Sequence, residues 1–175
     1  MKRRALIKKM GIAASSLAVL PAWANSWTVD KLNTGSGFLS VAELTRLTAV
    51  VDTILPANKD GLGGLKVGVD KFLDQLFARC YEPDVQENIR LQLEALDIAS
   101  SKIYLTKFEN GNQEQRLALL GALEKSESEP EKEFFTLIKS ETIRGFRTSR
   151  EVMTRYLKYR VIPGNYHGCL PVEIK

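Results

Sequence analysis

The residues with the most chemical potential stand together in "PGNYHGCLP", Pro163 to Pro171, which holds two prolines, two glycines, the only histidine and one of the two cysteines of the 175-residue chain. Nucleophilic catalysis needs a base beside the nucleophile. With His167 the sole histidine, any Ser–His or Cys–His pair must run through it. A structural zinc site normally takes four Cys or His ligands. This chain offers Cys80, His167 and Cys169, with no C-x-x-C spacing. Neither a C-x-x-C-H haem attachment nor a four-cysteine iron–sulfur site can be built. Carboxylate pairs at helical spacing, such as Glu127 with Glu131, read as solvated surface. The segment reads instead as a rigid hook. Pro163 and Pro171 restrict the backbone, Gly164 and Gly168 permit tight bends, and Tyr166 offers a flat amphipathic face of the kind that anchors interfaces. The expectation is a chain with no catalytic residue, no metal and no cofactor of its own. Two alternatives stay open. One is a self-sufficient enzyme using His167 with Cys169 or Glu173; the other is a free-standing binding module.

The front of the chain decides where these groups work. Residues 1–9 carry five cations, Lys2, Arg3, Arg4, Lys8 and Lys9, and no acid. Met10 to Leu20 is uncharged and mildly apolar, Pro21 breaks a helix, and Ala22-Trp23-Ala24 is an A-x-A pattern. This is the order of an export signal, with cleavage expected between Ala24 and Asn25. The apolar stretch falls short of the roughly 20 residues a membrane span needs. Arg3-Arg4-Ala5-Leu6-Ile7-Lys8 resembles the twin-arginine signal, read by the translocase that moves folded cargo. An ordinary secretory signal with two arginines is the alternative. Without the five leader cations, the 25 basic and 21 acidic residues come close to balance. The remaining chain therefore shows no cationic bias pointing to nucleic acid or anionic lipid.

Export to the periplasm would place Cys80 and Cys169 in an oxidising compartment, where paired thiols tend to bridge. Closing so long a loop contributes on the order of 4 kcal/mol in the chain-entropy description. It requires the two α-carbons to lie within ~7 Å. The alternative is one thiol buried in a helix and one independent thiol in the tail.

The elements that must position these residues read as helices. Residues 1–24 form the signal, 25–37 a polar, mobile leader, and 38–175 one helical domain. "FLSVAELTRLTAVVDTILP" carries a capping box in Ser40 and Glu43. Leu44, Leu47, Val51, Ile54 and Leu55 recur at helical spacing before Pro56 ends the run. "GLGGLKVG" tempts towards a dinucleotide fingerprint. That motif needs a strand before the glycines, though, and here a helix precedes them, so a flexible connection is expected. Phe72, Leu73, Leu76, Phe77 and Cys80 predict a buried stripe. Pro83 suits the first turn of a helix with Val85, Ile89, Leu93 and Leu96 inward. Asn112 and Gln115 can cap a helix bearing Leu117, Leu120 and Leu123. Pro130 opens another, with Glu131 and Glu133 near its positive end. Phe134, Leu137, Ile138 and Phe135 form its core face, and Gly145 is expected to end it in the left-handed conformation. Ser149 starts a last short helix through Tyr156. No stretch alternates with period two. The fold class is all-α, a single bundle of about six helices with an irregular C-terminal tail.

In order, these pieces resemble the gluconate 2-dehydrogenase subunit 3 family. "FLSVAELTRLTAVVDTILPA" is similar to its opening helix with an Asp-Thr-Ile-(Ile/Leu)-Pro ending. "GVDKFLDQL" matches its Gly-Val-x-x-Phe-(Ile/Leu)-Asp. "FFTLIKSETIRGFRTSREV" followed by "PGNYHGC" matches its closing segments. Arg147 stands where an aromatic is usual, and Arg150 separates Ser149 from Glu151. Little in Pro83 to Glu133 matches by motif. The resemblance implies a non-catalytic small subunit that brings the export signal for a large flavoprotein of the glucose-methanol-choline (GMC) type. That partner binds FAD and oxidises gluconate or a related sugar. A membrane-anchored c-type cytochrome, carrying haem c, receives the electrons at the outer face of the inner membrane. On rigidity and resemblance, the partner interface is expected at the tail, Pro163, Gly164, Tyr166 and Gly168, and at the loop around Pro56.

Overall fold

Ser40 and Glu43 start the domain as their spacing dictates. In the computed structural model, which describes residues 37–160, 162 and 164, the Glu43 N–H donates to Ser40 Oγ at 3.4 Å and the Ser40 N–H to Glu43 Oε2 at 2.7 Å. Two amides left orphaned by the first turn are thus satisfied. Helix α1 runs Val41–Ile54. It stops at Leu55 because a residue before proline is pushed out of the helical region.

Five more helices follow, α2 Val69–Cys80, α3 Pro83–Tyr104, α4 Gln113–Glu124, α5 Glu129–Thr148 and α6 Arg150–Arg155, with short 3-10 turns at Leu65–Val67 and Phe108–Asn110. No strand occurs among the described residues. The fold is all-α, as expected. Helix α1 sits in the middle, packed against α2, α3, α4, α5 and the second 3-10 turn. Its burial is correspondingly wider than one stripe: Leu47, Ala49, Val50, Val51 and Thr53 are all inside. Thr53 is tolerated there because its hydroxyl donates to the Ala49 carbonyl at 2.6 Å.

The glycine-rich connection differs from expectation. It is packed, not loose. Asn58 organises residues 58–62, its Oδ1 accepting from Asp60 N and Leu62 N at 2.9 Å each. The Gly64 N–H returns to the Leu55 carbonyl at 2.9 Å. A Cβ on Gly64 would stand 2.8 Å from Val51 Cγ1, so only glycine lets this turn lie against α1.

Helix α2 turns Val69, Leu73 and Phe77 inward, one per turn. Phe72 and Cys80, expected in the buried stripe, are exposed. They lie on the flank of the 69/73/77 line, with the Phe72 ring covering Gly145 of α5 from the side. Asp74 is buried as well, because its Oδ1 accepts the Leu39 N–H at 3.1 Å and ties the entry segment to α2. Helix α3 buries Ile89, Leu93 and Leu96 as predicted, with Val85 half-buried against the core. Asn112 and Gln115 form their capping box on α4. There Leu119 and Leu120 face the core, whereas Leu117 is exposed. Ser149 caps α6.

Helix α5 buries Phe134, Ile138, Thr142 and Gly145 at successive turns. Gly145 does not end the helix, which continues to Thr148. Its role is close approach. A Cβ there would meet Phe72 Cδ1 at 2.7 Å and Val69 Cγ1 at 3.4 Å, so the missing side chain sets the α2–α5 separation. Gly145→Val should therefore destabilise the domain by roughly 1–3 kcal/mol despite removing a helix glycine. Denaturant unfolding of the variant tests this; an unchanged or raised stability would refute it.

Thr142 is fully buried and its hydroxyl has no hydrogen-bond partner. Thr142→Val keeps the shape and removes the desolvated hydroxyl, so unfolding free energy should rise by about 1 kcal/mol. A loss of stability in the same measurement would contradict the assignment.

Burial works against the Glu43 carboxylate. The Ser40 bonds and the charges of Arg90 and Arg46 outweigh it and hold its pKa below the ordinary glutamate value. A depressed pKa gives stability that is complete above the unfolded value and is lost as pH falls through the folded one. The stability difference between the wild type and Glu43→Gln should therefore shrink on acidification below the ordinary glutamate range. Thermal melts across that range would show it, and a difference independent of pH would disprove it.

Candidate partner interface

The charged side chains nearest the core bind helices together. Arg46 pairs with Asp97 at 3.2 Å, joining α1 to α3, and Asp97 also accepts the Phe108 N–H at 3.0 Å. Arg116 pairs with Asp52 at 3.3 Å, joining α4 to α1. Gln113 donates to the Thr53 carbonyl at 3.2 Å, meeting one acceptor that the end of α1 leaves open. Among the described residues no three His, Cys, Asp or Glu stand close enough to share a metal ion. None of the described helices is long and apolar enough to cross a membrane.

The expected interface residues separate into two groups. Pro56 is exposed at the start of the Asn58-organised loop, a rigid and presentable position. That loop lies beside α6. Asp60, Lys66, Glu151, Arg155 and Tyr156 line a small polar pocket of about 320 Å³ between them. Gly164 is exposed with φ +82°, a conformation that favours glycine. Cys80 is an exposed thiol at the end of α2. Arg3, Arg4, Ala24, Asn25, Pro163, Tyr166, His167, Gly168 and Cys169 lie outside the described residues, and with Cys169 so does the expected Cys80–Cys169 bridge.

Two surfaces went unnoticed in the sequence. After α6, Tyr156, Leu157, Tyr159 and Ile162 are all exposed. The Leu157 and Tyr159 amides hold this stretch to α6 through the Val152 and Met153 carbonyls, at 3.1 and 2.8 Å. The signal available was "YLKYRVI", an apolar run with no helical stripe to absorb it. The second surface is larger, a groove of about 1270 Å³ between α3 and α5. The two helices run antiparallel there. Asn88 donates to the Pro130 carbonyl at 3.1 Å near one end, and Tyr81 stands beside Glu141 near the other. Tyr81, Val85 and Leu91 line one side, Phe134 and Leu137 the other. Burial raises the Tyr81 pKa, and the adjoining Glu141 carboxylate raises it further, so its hydroxyl stays a neutral donor. Arg144 fixes Glu141 in turn, its Nε at 2.6 Å. The groove therefore has an apolar floor and an oriented wall. Such a surface is suited to receiving another polypeptide.

Residues 42–164, more than half of the chain, match the family described as Gluconate 2-dehydrogenase subunit 3. The match runs through 83–133, where motifs alone showed little. Comparison with curated proteins and with solved structures returned no match. The matched span begins at the second residue of α1 and takes in every later helix, so this chain belongs to the gluconate 2-dehydrogenase subunit 3 family, whose name marks its members as one subunit of a dehydrogenase complex.

Proposed function

We propose that this chain is the non-catalytic small subunit of a periplasmic FAD-dependent dehydrogenase acting on gluconate or a related sugar. It supplies the twin-arginine signal and escorts a folded large flavoprotein of the GMC type through the Tat translocase. The large subunit holds FAD and the substrate. A membrane-anchored c-type cytochrome with haem c takes the electrons and keeps the complex at the outer face of the inner membrane. What this chain contributes is a rigid surface and an address. Folded cargo can travel on a partner's signal only if the two bind before transport, which requires a contact surface formed in the small subunit itself.

The observation that carries this reading is the open apolar groove on a member of a subunit family, together with the exposed Tyr156, Leu157, Tyr159 and Ile162. Single exposed apolar residues are ordinary on any protein, but contiguous apolar surface beside a rigid wall marks an interface. Pro163, Gly164, Tyr166 and Gly168, with Pro56, are the further partner contacts this reading expects.

The test follows the cargo. Replacing Arg3→Lys and Arg4→Lys together should leave the companion flavoprotein folded, flavin-loaded and cytoplasmic, measured by fractionation and flavin absorbance. Sugar oxidation with a dye acceptor should fail for the isolated chain and succeed for the complex. A flavoprotein that still reaches the periplasm would end the escort role, and dye reduction by the chain alone would end the accessory one.

A further inference from the structure

The groove between α3 and α5 is bordered by acid. Asp84 and Glu87 on α3 and Glu129 and Glu133 on α5 stand at its edge, with Lys132 the single cation among its lining residues. The seven ion pairs among the described residues include none of these four carboxylates. Helix dipoles offer a partial account, since Asp84 and Glu129 lie in the first turns of their helices. That effect fades beyond the first turn, and Glu87 and Glu133 sit past it, so their charge has no such compensation within the chain.

The apolar surface also continues beyond the groove. Leu91 and Ile98 are 54 % and 61 % exposed and stand seven residues apart on α3. Exposed Ala95 lies between them. Seven residues are close to two helical turns, so these side chains form one line on the outer face, about 10 Å long. It is separate from the Ile89, Leu93 and Leu96 line that packs the core. A short apolar line opening into a groove with an acidic rim fits one kind of occupant. We infer that the α3–α5 groove and the Leu91–Ala95–Ile98 line receive an amphipathic helix of the large partner subunit, with apolar anchors every three to four residues and lysine or arginine on its flanks. This rests on the subunit reading above and assigns the contact a place and a chemistry. The apolar anchors would fill the floor beside Leu91 and Leu137. The flanking cations would meet Glu87 and Glu133 and set the register, since rim charges mainly determine orientation and association rate.

The test uses the full chain made in its own host together with its companions. A photoreactive benzoylphenylalanine placed at Leu91, in chain purified with the flavoprotein, should give on irradiation an adduct to that subunit. The cross-linked peptide, read by mass spectrometry, should carry apolar residues at three-to-four spacing and a net positive charge. Glu87→Lys with Glu133→Lys should reduce flavoprotein co-purification by roughly tenfold or more. Reversing the cations of the cross-linked peptide to glutamate should restore it. Leu91→Ser, an uncharged change at an exposed position, should weaken the complex independently, with circular dichroism confirming that each variant keeps its helices. If the flavoprotein co-purifies yet gives no adduct at position 91, the inference is overturned. It is equally overturned if the cross-linked peptide is acidic, or if it comes from this chain's own tail or a second copy. If wild-type chain brings down no flavoprotein at all, the subunit reading itself fails, and the inference falls with it for that separately visible reason.

Discussion

The enclosure of α1 governs the rest of the molecule. Helix α1 contacts four other helices, so each inward-leaning charge on Val41–Ile54 must find a partner on another element. Arg46 takes Asp97 from α3, and Asp52 takes Arg116 from α4. Asp97 also receives the Phe108 amide, which seats the fully buried Phe108 ring beneath the connection from α3 to α4. Half-buried pairs of this kind add little net stability relative to apolar replacements. Breaking one, however, leaves a charge stranded beside the core. Their main effect is on arrangement: only one placement of α3 and α4 around α1 satisfies both.

Close approach supplies the second constraint. The turn after α1 lies against Val51 because Gly64 has no side chain, and α5 lies against α2 because Gly145 has none. The entry segment is held down at three points, by Asp74 on the Leu39 amide, by Arg90 on the Phe38 carbonyl at 2.6 Å and by the Arg90 guanidinium 5.0 Å above the Phe38 ring. These contacts make residues 37–64 a stiff frame. Pro56 and the Asn58 loop are therefore presented in one conformation, which is what a docking position needs if it is not to lose affinity to ordering.

The outer surface carries the functional argument. The charged groups close to α1 are committed to holding helices, while the surface keeps an apolar groove, an acidic rim and a row of exposed Tyr and Leu residues. That distribution suits a small subunit whose work is contact.

Much of the fold was legible in the residues. Ser40 with Glu43 and Asn112 with Gln115 marked helix starts because capping is local, involving amides three residues away. Pro83 marked another because a first-turn proline loses no bond. Ile89, Leu93 and Leu96, and Phe134 with Ile138, declared their faces by period. The motif order also pointed to the family. What the tertiary structure decided was everything that depends on a neighbour. Gly145 has the look of a helix terminator, and only the Phe72 ring beside it reveals a spacing role. Phe72, Cys80 and Leu117 fit a helical stripe, and only the placement of the neighbouring helices leaves them exposed. The α3–α5 groove could not be read from either helix alone. It is made by two segments some fifty residues apart, and its shape is set by how closely their backbones approach.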